Sequence, residues 1–187
     1  MFTKKLASGM TLIELLIGLA VFAILILFLA NFFVSYYDSF SNLQASNSVS
    51  ESTGLFINAI SNAIRQANKV DVSRTISGNV YTSDDTTIVL ELPAIDNTAN
   101  TISNTYDYMI FYLDGENIYW IVDANASSSR KSGSQIISSN ISSLSFTYDN
   151  PSVSSASKVD VVVTAQKTIK QKIFDSSLSQ QIYLRNK

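Results

Sequence analysis

A long uncharged apolar segment near the N-terminus constrains the fold of this chain more than any other feature. No charged residue occurs between Leu15 and Tyr37, and most of the side chains in that segment are apolar. A helix of about 20 apolar residues is long enough to cross a hydrocarbon core of about 30 Å. Lys4 and Lys5 precede the segment, so the positive-inside rule predicts a cytoplasmic N-terminus and an extracytoplasmic remainder.

Glu14 is the residue of this region that needs an explanation. A carboxylate in a membrane-spanning segment costs roughly 2.5–3.5 kcal/mol on insertion scales, and such groups are usually functional. A secretory signal peptide fits poorly, because its apolar region spans about 7–15 residues and ends at a small-residue cleavage site. A simple membrane anchor explains the length and the orientation, with Glu14 stabilised by the dipole of the helix start. The simple anchor gives the carboxylate no further role.

The stretch Gly9-Met10-Thr11-Leu12-Ile13-Glu14 resembles the class III leader of type IV pilins and of the pseudopilins of type II secretion. The resemblance implies that prepilin peptidase removes residues 1–9 by cutting after Gly9, and that Met10 is then N-methylated. The implied partners are other pilins or pseudopilins along the N-terminal helix, the prepilin peptidase and methylase, and the inner-membrane assembly platform. The implied location is the cytoplasmic membrane before assembly and the extracytoplasmic side in the assembled pilus or pseudopilus.

The resemblance also makes Glu14 the fifth mature residue, the position where the family keeps a glutamate. A new α-amino group on Met10 and the carboxylate of Glu14 can neutralise each other, within one chain or between neighbouring subunits. Pairing of this kind in a packed bundle of helices offsets the cost of a carboxylate in a low-dielectric environment. We therefore interpret Glu14 as a filament-assembly residue.

The pattern beyond the apolar segment predicts a further helix. Phe56, Ile60 and Ile64 share one face at helical spacing, so we expect residues 38–69 to form an amphipathic helix that continues the membrane-spanning helix of residues 10–37. The stretch Ser48-Val49-Ser50-Glu51 fits a capping box, which indicates a second helical start. The sequence therefore permits a bend near Asn47 to Gly54, although we expect one long helix that weakens there.

The chain from residue 70 onward predicts a mainly antiparallel β-sheet head. Two aromatic and β-branched runs, at residues 108–113 and 118–122, flank Asp114-Gly115 and predict a tight hairpin. Shorter runs predict strands at Thr87–Leu92, ended by Pro93, and at Leu144–Tyr148, Lys158–Thr164 and Ile182–Arg185. The serine-rich residues 124–134 predict a mobile exposed loop. The expected class is α+β, with a long N-terminal α-helix, half membrane-spanning and half amphipathic, packed on a β-rich head of residues 70–187.

The C-terminal arrangement of strands resembles J-type pseudopilins and W-type minor pilins, whose chains often finish in Leu-Arg-Asn. This chain has Leu184-Arg185-Asn186 at the corresponding place. The resemblance implies a minor subunit that primes assembly or lies near the tip. Two alternatives stay open, namely the major pilin of the filament and a tip module that binds DNA or a surface, with roles in DNA uptake or cell adhesion.

The composition argues against an enzyme. The chain of 187 residues contains no histidine and no cysteine, which removes the commonest general base and the thiol nucleophile. The same two residue types are the commonest ligands of structural transition metals. The acidic pairs Asp84-Asp85 and Asp114/Glu116 match no defined calcium loop and indicate turns instead. We expect no enzymatic activity, no cofactor and no metal site.

Lys167, Lys170 and Lys172 form a basic run near the C-terminus. With Arg185 and Lys187 they could line a positive strip on the terminal strands, and in a competence pilus such a strip could hold DNA by phosphate contacts. The alternative is that they are edge-strand lysines, which discourage pairing with the sheets of other molecules.

Overall fold

The computed structural model describes residues 11–185. One α-helix, α1, spans Leu12–Gln66, and ten strands follow it within the described residues. The strands are β1 (Lys69–Asp71), β2 (Ser73–Ile76), β3 (Asn79–Thr82), β4 (Thr87–Ile95), β5 (Thr101–Asp114), β6 (Asn117–Asp123), β7 (Gly133–Ser138), β8 (Ile141–Tyr148), β9 (Lys158–Ile169) and β10 (Lys172–Tyr183). The chain forms two compact units, Met1–Leu43 and Gln44–Lys187, and α1 contributes residues to both.

The helix α1 is continuous through the region where the sequence permitted a bend. The stretch Ser48–Glu51 lies inside the helix, so the predicted second helical start is wrong. The hydroxyl of Thr53 donates to the carbonyl oxygens of Val49 and Ser50 at 3.2 and 3.0 Å. Ala45 and Val49 are buried. Tertiary packing therefore maintains the helix in a stretch of small polar residues that has little helix propensity of its own.

The strands form three antiparallel sheets, and the fold therefore has the predicted α+β class. The five-stranded sheet has the order β1-β4-β5-β6-β7, the three-stranded sheet has the order β10-β9-β8, and β2 and β3 form a separate hairpin. The predicted tight hairpin is confirmed, because Asp114 of β5 pairs with Asn117 of β6. Gly115 in the turn between them adopts φ 60°, a conformation that costs glycine little.

The main core lies between one face of α1 and the two larger sheets. Phe56 is fully buried and contacts Phe111 of β5 and Phe146 of β8 edge-to-face, with ring centroids 6.2 and 6.5 Å apart. Each such aromatic pair contributes about 0.5–1.5 kcal/mol beyond the burial of its surface. Ile60 and Ile64 are fully buried on the same side of the helix, which confirms the predicted amphipathic pattern.

A second, smaller core lies on the other face of the five-stranded sheet. Its buried members are Val89, Ile110 and Ile121, and Ile76 and Tyr81 of the β2–β3 hairpin pack against them. This hairpin was not predicted from the sequence. Its signal was the dipeptide Ser77-Gly78, whose φ angles of 51° and 85° suit a two-residue hairpin turn.

The strand β4 continues past the residue at which the sequence predicted its end. It extends through Pro93 to Ile95, so the prediction that proline terminates the strand is wrong. The short strand β1 pairs with β4 only as far as Glu91, and a β-bulge separates Pro93 from Ile95 on the β5 side. Proline is tolerated at a β-bulge, or where a strand is paired on one side only, because a neighbouring strand does not need its missing N–H.

The C-terminal hairpin is longer than predicted. The sequence predicted short strands at residues 158–164 and 182–185, whereas β9 continues to Ile169 and β10 already begins at Lys172. The pairing runs without irregularity from Lys172 opposite Ile169 to Tyr183 opposite Lys158. Much of β10 is serine and glutamine, so pairing with β9 rather than local hydrophobicity makes it a strand.

Candidate assembly site at the start of the N-terminal helix

The first part of α1 exposes apolar side chains on all sides. From Leu12 to Phe33 every large apolar side chain is between 49 and 78% exposed. By its length and composition, α1 can cross a membrane near the N-terminus. A helix that is apolar all round is stable only when lipid or other helices cover it. Glu14 is the single charged residue between Leu12 and Tyr37.

Thr11 and Glu14 form a capping box at the start of α1. The backbone N–H and the hydroxyl of Thr11 donate to Glu14 Oε2 at 2.8 and 2.9 Å, and the N–H of Glu14 donates to Thr11 Oγ1 at 3.3 Å. These reciprocal bonds satisfy backbone donors that have no partner within the helix. This cap was not predicted from the sequence, although Thr-x-x-Glu before an apolar run is its signature.

The capping box leaves Glu14 able to accept a further donor. Both bonds from Thr11 reach Oε2, and no hydrogen bond from another described residue reaches Oε1. Within residues 11–185 the carboxylate is therefore held by its own helix through Oε2 alone. Gly9 and Met10, the predicted positions of cleavage and methylation, lie outside the described residues.

Residues 4–30 match the prokaryotic N-terminal methylation motif. The match supports a type IV pilin-like class III leader on this chain. It therefore supports a subunit of the pilin or pseudopilin type, anchored in the inner membrane by its apolar helix. Proteins of this type are structural and in general not enzymatic. No curated protein matches the chain. The matched segment includes Thr11 and Glu14 and none of the β-rich residues.

The three lysines predicted as contact residues lie together at the tip of the β9–β10 hairpin. Lys167 is near the end of β9, Lys170 is in the turn and Lys172 begins β10. Arg185 lies beyond the opposite end of β10, whose twelve residues span roughly 36 Å at about 3.3 Å per residue. The predicted strip that includes Arg185 is therefore not formed. Lys187 lies outside the described residues.

The acidic pairs occupy turns, as the sequence predicted. Asp84 Oδ1 accepts hydrogen bonds from the N–H groups of Thr86 and Thr87 at 2.8 and 2.7 Å. Asp114 ends β5 beside the turn at Gly115. Among residues 11–185, no group of three or more His, Cys, Asp or Glu side chains is arranged to hold a metal ion. These carboxylates therefore stabilise the local backbone conformation of the turns.

A buried ionic cluster around Asp107 was not predicted from the sequence. Asp107 is fully buried on β5 and accepts hydrogen bonds from the N–H of Asn125 at 2.8 Å and the hydroxyl of Ser128 at 2.7 Å. Arg130 Nη1 forms an ion pair with Asp107 Oδ2 at 2.7 Å and also donates to the carbonyl oxygen of Pro93. The cluster joins the connection between β6 and β7 to strands β4 and β5.

The connection between β6 and β7 is exposed at most positions, as the sequence predicted, and it is anchored to the sheet through Asp107. Its backbone and its single arginine are tied to a buried carboxylate, which holds it against the five-stranded sheet. The signal in the sequence was a lone acid between two tyrosines, Tyr106-Asp107-Tyr108, inside a strand pattern. A buried carboxylate in such a place needs a cation and several donors.

Proposed function

We propose that this chain is a minor subunit of a type IV pilus or a type II secretion pseudopilus, which primes assembly or lies near the filament tip. The single observation that best supports the proposal is the methylation motif of residues 4–30, which leads into an exposed apolar helix with one carboxylate near its start. The weaker support for a minor role is the resemblance of the C-terminal strands to J-type pseudopilins and W-type minor pilins.

The proposal divides the chain into four parts. Residues 1–9 are a leader that prepilin peptidase removes, and residues 10–37 are the membrane-spanning helix that later becomes the filament core. Residues 38–69 lead to the β-rich head of residues 70–187; α1 continues through them to Gln66, and β1 begins at Lys69. The proposed partners are other pilins or pseudopilins along the helix and the assembly platform in the inner membrane.

Processing is tested first, by intact mass and N-terminal sequencing of the chain from membranes with and without an active prepilin peptidase. The proposal expects a chain that begins at N-methylated Met10 only where the peptidase is active. A Gly9→Leu variant serves as the control and should keep its leader. A wild-type chain that still begins at Met1 beside an active peptidase contradicts the proposal.

Glu14 has two roles in this proposal, as the capping-box carboxylate of its own helix and as the charge that pairs with a neighbouring subunit's α-amino group. The two roles are separable, because glutamine is accepted at the third helical position of a capping box but has no charge. Glu14→Gln should therefore keep the helix start and lose filament assembly. Thr11→Ala is the matched control, since it breaks the reciprocal cap and keeps the charge.

The measurement for these variants is the amount of subunit in sheared filaments relative to the membrane pool. We expect a strong loss for Glu14→Gln and a small loss for Thr11→Ala. A larger loss of filament incorporation for Thr11→Ala than for Glu14→Gln would show that the carboxylate acts only on its own helix. The same assay decides between minor and major roles, because a chain that dominates the sheared filaments is the major subunit.

The three lysines at the tip of the β9–β10 hairpin favour a second candidate function, a tip module that binds DNA. Three ammonium groups near one turn are able to contact neighbouring phosphates. Replacing Lys167, Lys170 and Lys172 by glutamine should then weaken DNA retention and reduce its salt dependence while filaments stay intact. Lys158→Gln, on β9 but away from the turn, is the control. Unchanged retention in the triple variant would exclude this surface.

A further inference from the structure

A cavity of about 420 Å³ lies next to the ion pair of Asp107 with Arg130. We call it the arginine cavity, and the residues that line it are Gln66, Pro93, Ile95, Ala99, Thr101, Arg130 and Arg185. Its volume is within the range of roughly 300–1,000 Å³ that small-molecule sites have. Two of the four arginines of the chain therefore line one cavity.

The guanidinium of Arg130 is fixed in the wall of this cavity, and only part of it is hydrogen-bonded. Its Nη1 donates to Asp107 Oδ2 at 2.7 Å and to the carbonyl oxygen of Pro93 at 2.5 Å. The N–H groups of Nε and Nη2 have no acceptor among residues 11–185. In that part of the chain, Trp120 Nε1 is the only fully enclosed side-chain nitrogen or oxygen without a partner. Nε and Nη2 of Arg130 are therefore accessible, and they open into the cavity that the side chain lines.

This edge of the Arg130 guanidinium has the geometry that binds a carboxylate. The N–H groups of Nε and Nη2 lie side by side in one plane and match the two oxygens of a planar carboxylate. The bonds to Asp107 and Pro93 already fix the plane of the guanidinium. Binding then costs little further side-chain entropy, so the position is preorganised for such a ligand.

Arg185 supplies a second cation to the same cavity. The preceding residue, Leu184, is buried and its N–H donates to the carbonyl oxygen of Ser157 at 2.9 Å, which fixes the chain at this point. The side chain of Arg185 forms no hydrogen bond or ion pair with any residue of 11–185. It belongs to the stretch Leu184-Arg185-Asn186, whose arginine has no role in the proposed function.

The charges at the arginine cavity suit a ligand with a single negative charge. Arg130 and Arg185 are positive, and Asp107 compensates one of these two charges through its ion pair with Arg130. Asp96, in the turn between β4 and β5, does not line the cavity, and its Oδ1 accepts the N–H group of Asn100 within that turn. One positive charge is therefore left for a ligand, which favours a carboxylate over a doubly charged phosphate.

The remaining wall limits the group that carries the carboxylate. Pro93, Ile95 and Ala99 have apolar side chains, and the cavity has more room than a carboxylate fills. We propose that the arginine cavity binds a carboxylate on a short apolar body, held by Nε and Nη2 of Arg130 and by the guanidinium of Arg185. The carboxylate belongs either to a small organic acid or to an acidic side chain of another protein. The site lies within the β-rich unit and does not depend on the proposed function.

The first test is a titration of the full-length ¹⁵N-labelled protein in detergent with sodium butyrate. NMR follows the Nε–H signals of the four arginines, which are assigned by substitution. We expect saturable shifts for Arg130 and Arg185 and little change for Arg65 and Arg74. The controls are butyramide, which has the same size and no charge, and sodium chloride at the same ionic strength. Equal shifts with sodium chloride, or tighter binding of inorganic phosphate than of butyrate, overturn the proposal.

Arg185→Gln tests the second cation. It should weaken butyrate binding about tenfold or more, because a hydrogen bond between two charged groups is lost. The side chain of Arg185 is exposed, so the substitution is compatible with the fold. Arg65→Gln is the matched control, since Arg65 is an exposed arginine near the end of α1 that does not line the cavity. An unchanged affinity in Arg185→Gln, or an equal loss in both variants, overturns the proposal.

Thr101→Glu tests the cavity with a carboxylate of the chain itself. Thr101 is exposed and lines the cavity, so the new carboxylate competes with butyrate at the two guanidinium groups. Butyrate binding should fall by at least about tenfold. Ser103→Glu is the matched control, because it adds the same charge to the same strand at an exposed residue outside the cavity wall. Equal effects of the two substitutions contradict the proposal.

Two tripeptides with uncharged ends separate the two sources of the carboxylate. Acetyl-alanyl-glutamyl-alanine amide offers a glutamate side chain, and its glutamine analogue has the same shape without the charge. Tighter binding of the glutamate peptide than of butyrate assigns the cavity to an acidic side chain of another protein. Tighter binding of butyrate assigns it to a small organic acid. If neither butyrate nor the glutamate peptide binds better than its uncharged analogue, the proposal is wrong.

Discussion

The buried ion pair between Arg130 and Asp107 predicts a large loss of stability on Arg130→Met. The substitution keeps much of the apolar stem of the side chain but leaves the fully buried carboxylate of Asp107 without its cation. Breaking a buried pair by removing one partner costs about 3–5 kcal/mol. Two donors to the carboxylate remain, from Asn125 and Ser128, which favours the lower half of that range.

The assay is urea unfolding of the full-length protein in detergent, followed by the fluorescence of Trp120. It is the only tryptophan of the chain, and its ring stacks on Phe111 with centroids 6.0 Å apart. With a denaturant slope of about 1–3 kcal/mol per molar urea, the midpoint should fall by at least about 1 M. The matched control is Lys158→Met, which removes a half-exposed ion pair to Asp160 and should cost no more than about 1 kcal/mol.

The double variant Asp107→Asn/Arg130→Met separates the charge effect from lost packing. Removing the unpaired charge should recover part of the stability that Arg130→Met alone loses, because the neutral amide is much cheaper to bury than a carboxylate. The reasoning is refuted if Arg130→Met and Lys158→Met shift the midpoint equally. It is also refuted if adding Asp107→Asn to Arg130→Met lowers the free energy of unfolding further, by as much as an independent substitution at Asp107 would.

Three further predictions concern the β-rich unit. Gly115→Ala should cost about 1–2 kcal/mol, because φ is 60° while no atom lies within 4 Å of the new Cβ; a melting temperature equal to that of the wild type contradicts this. The hydroxyl and N–H of Ser157 and the N–H of Lys158 lower the pKa of Asp149. Its stabilisation is therefore present above the unfolded pKa of about 3.9 and lost as pH falls through the lower folded value. Asp149→Asn should reduce the decrease in the free energy of unfolding at acid pH, and an unchanged decrease would contradict the prediction. The hydrogen bond to Glu91 raises the pKa of Lys69, so its stabilisation is present below about pH 10.4 and lost as pH rises through the folded value. Lys69→Met should then remove part of the decrease in the free energy of unfolding at alkaline pH. An equal pH dependence of the variant and the wild type there would contradict the prediction.

Local sequence patterns were sufficient for the elements that depend on a few neighbouring residues. The apolar segment after Glu14, the helix face with Phe56 and Ile60, and the hairpin around Gly115 are each defined within about one or two turns of chain. The α+β class followed from their order. The signature at Thr11 and Glu14 was also local, and it could have been read as a capping box from the spacing alone.

Tertiary structure alone decided the features that depend on residues far apart in the chain. Pairing with β9 makes the serine- and glutamine-rich β10 a strand, and burial of Ala45 and Val49 keeps α1 helical through polar residues. The ion pair of Asp107 with Arg130 joins residues 23 positions apart, so no local pattern could show it. Long-range pairing and burial outweigh local propensities of a few tenths of a kcal/mol per residue, and a single sequence does not state which distant residues will meet.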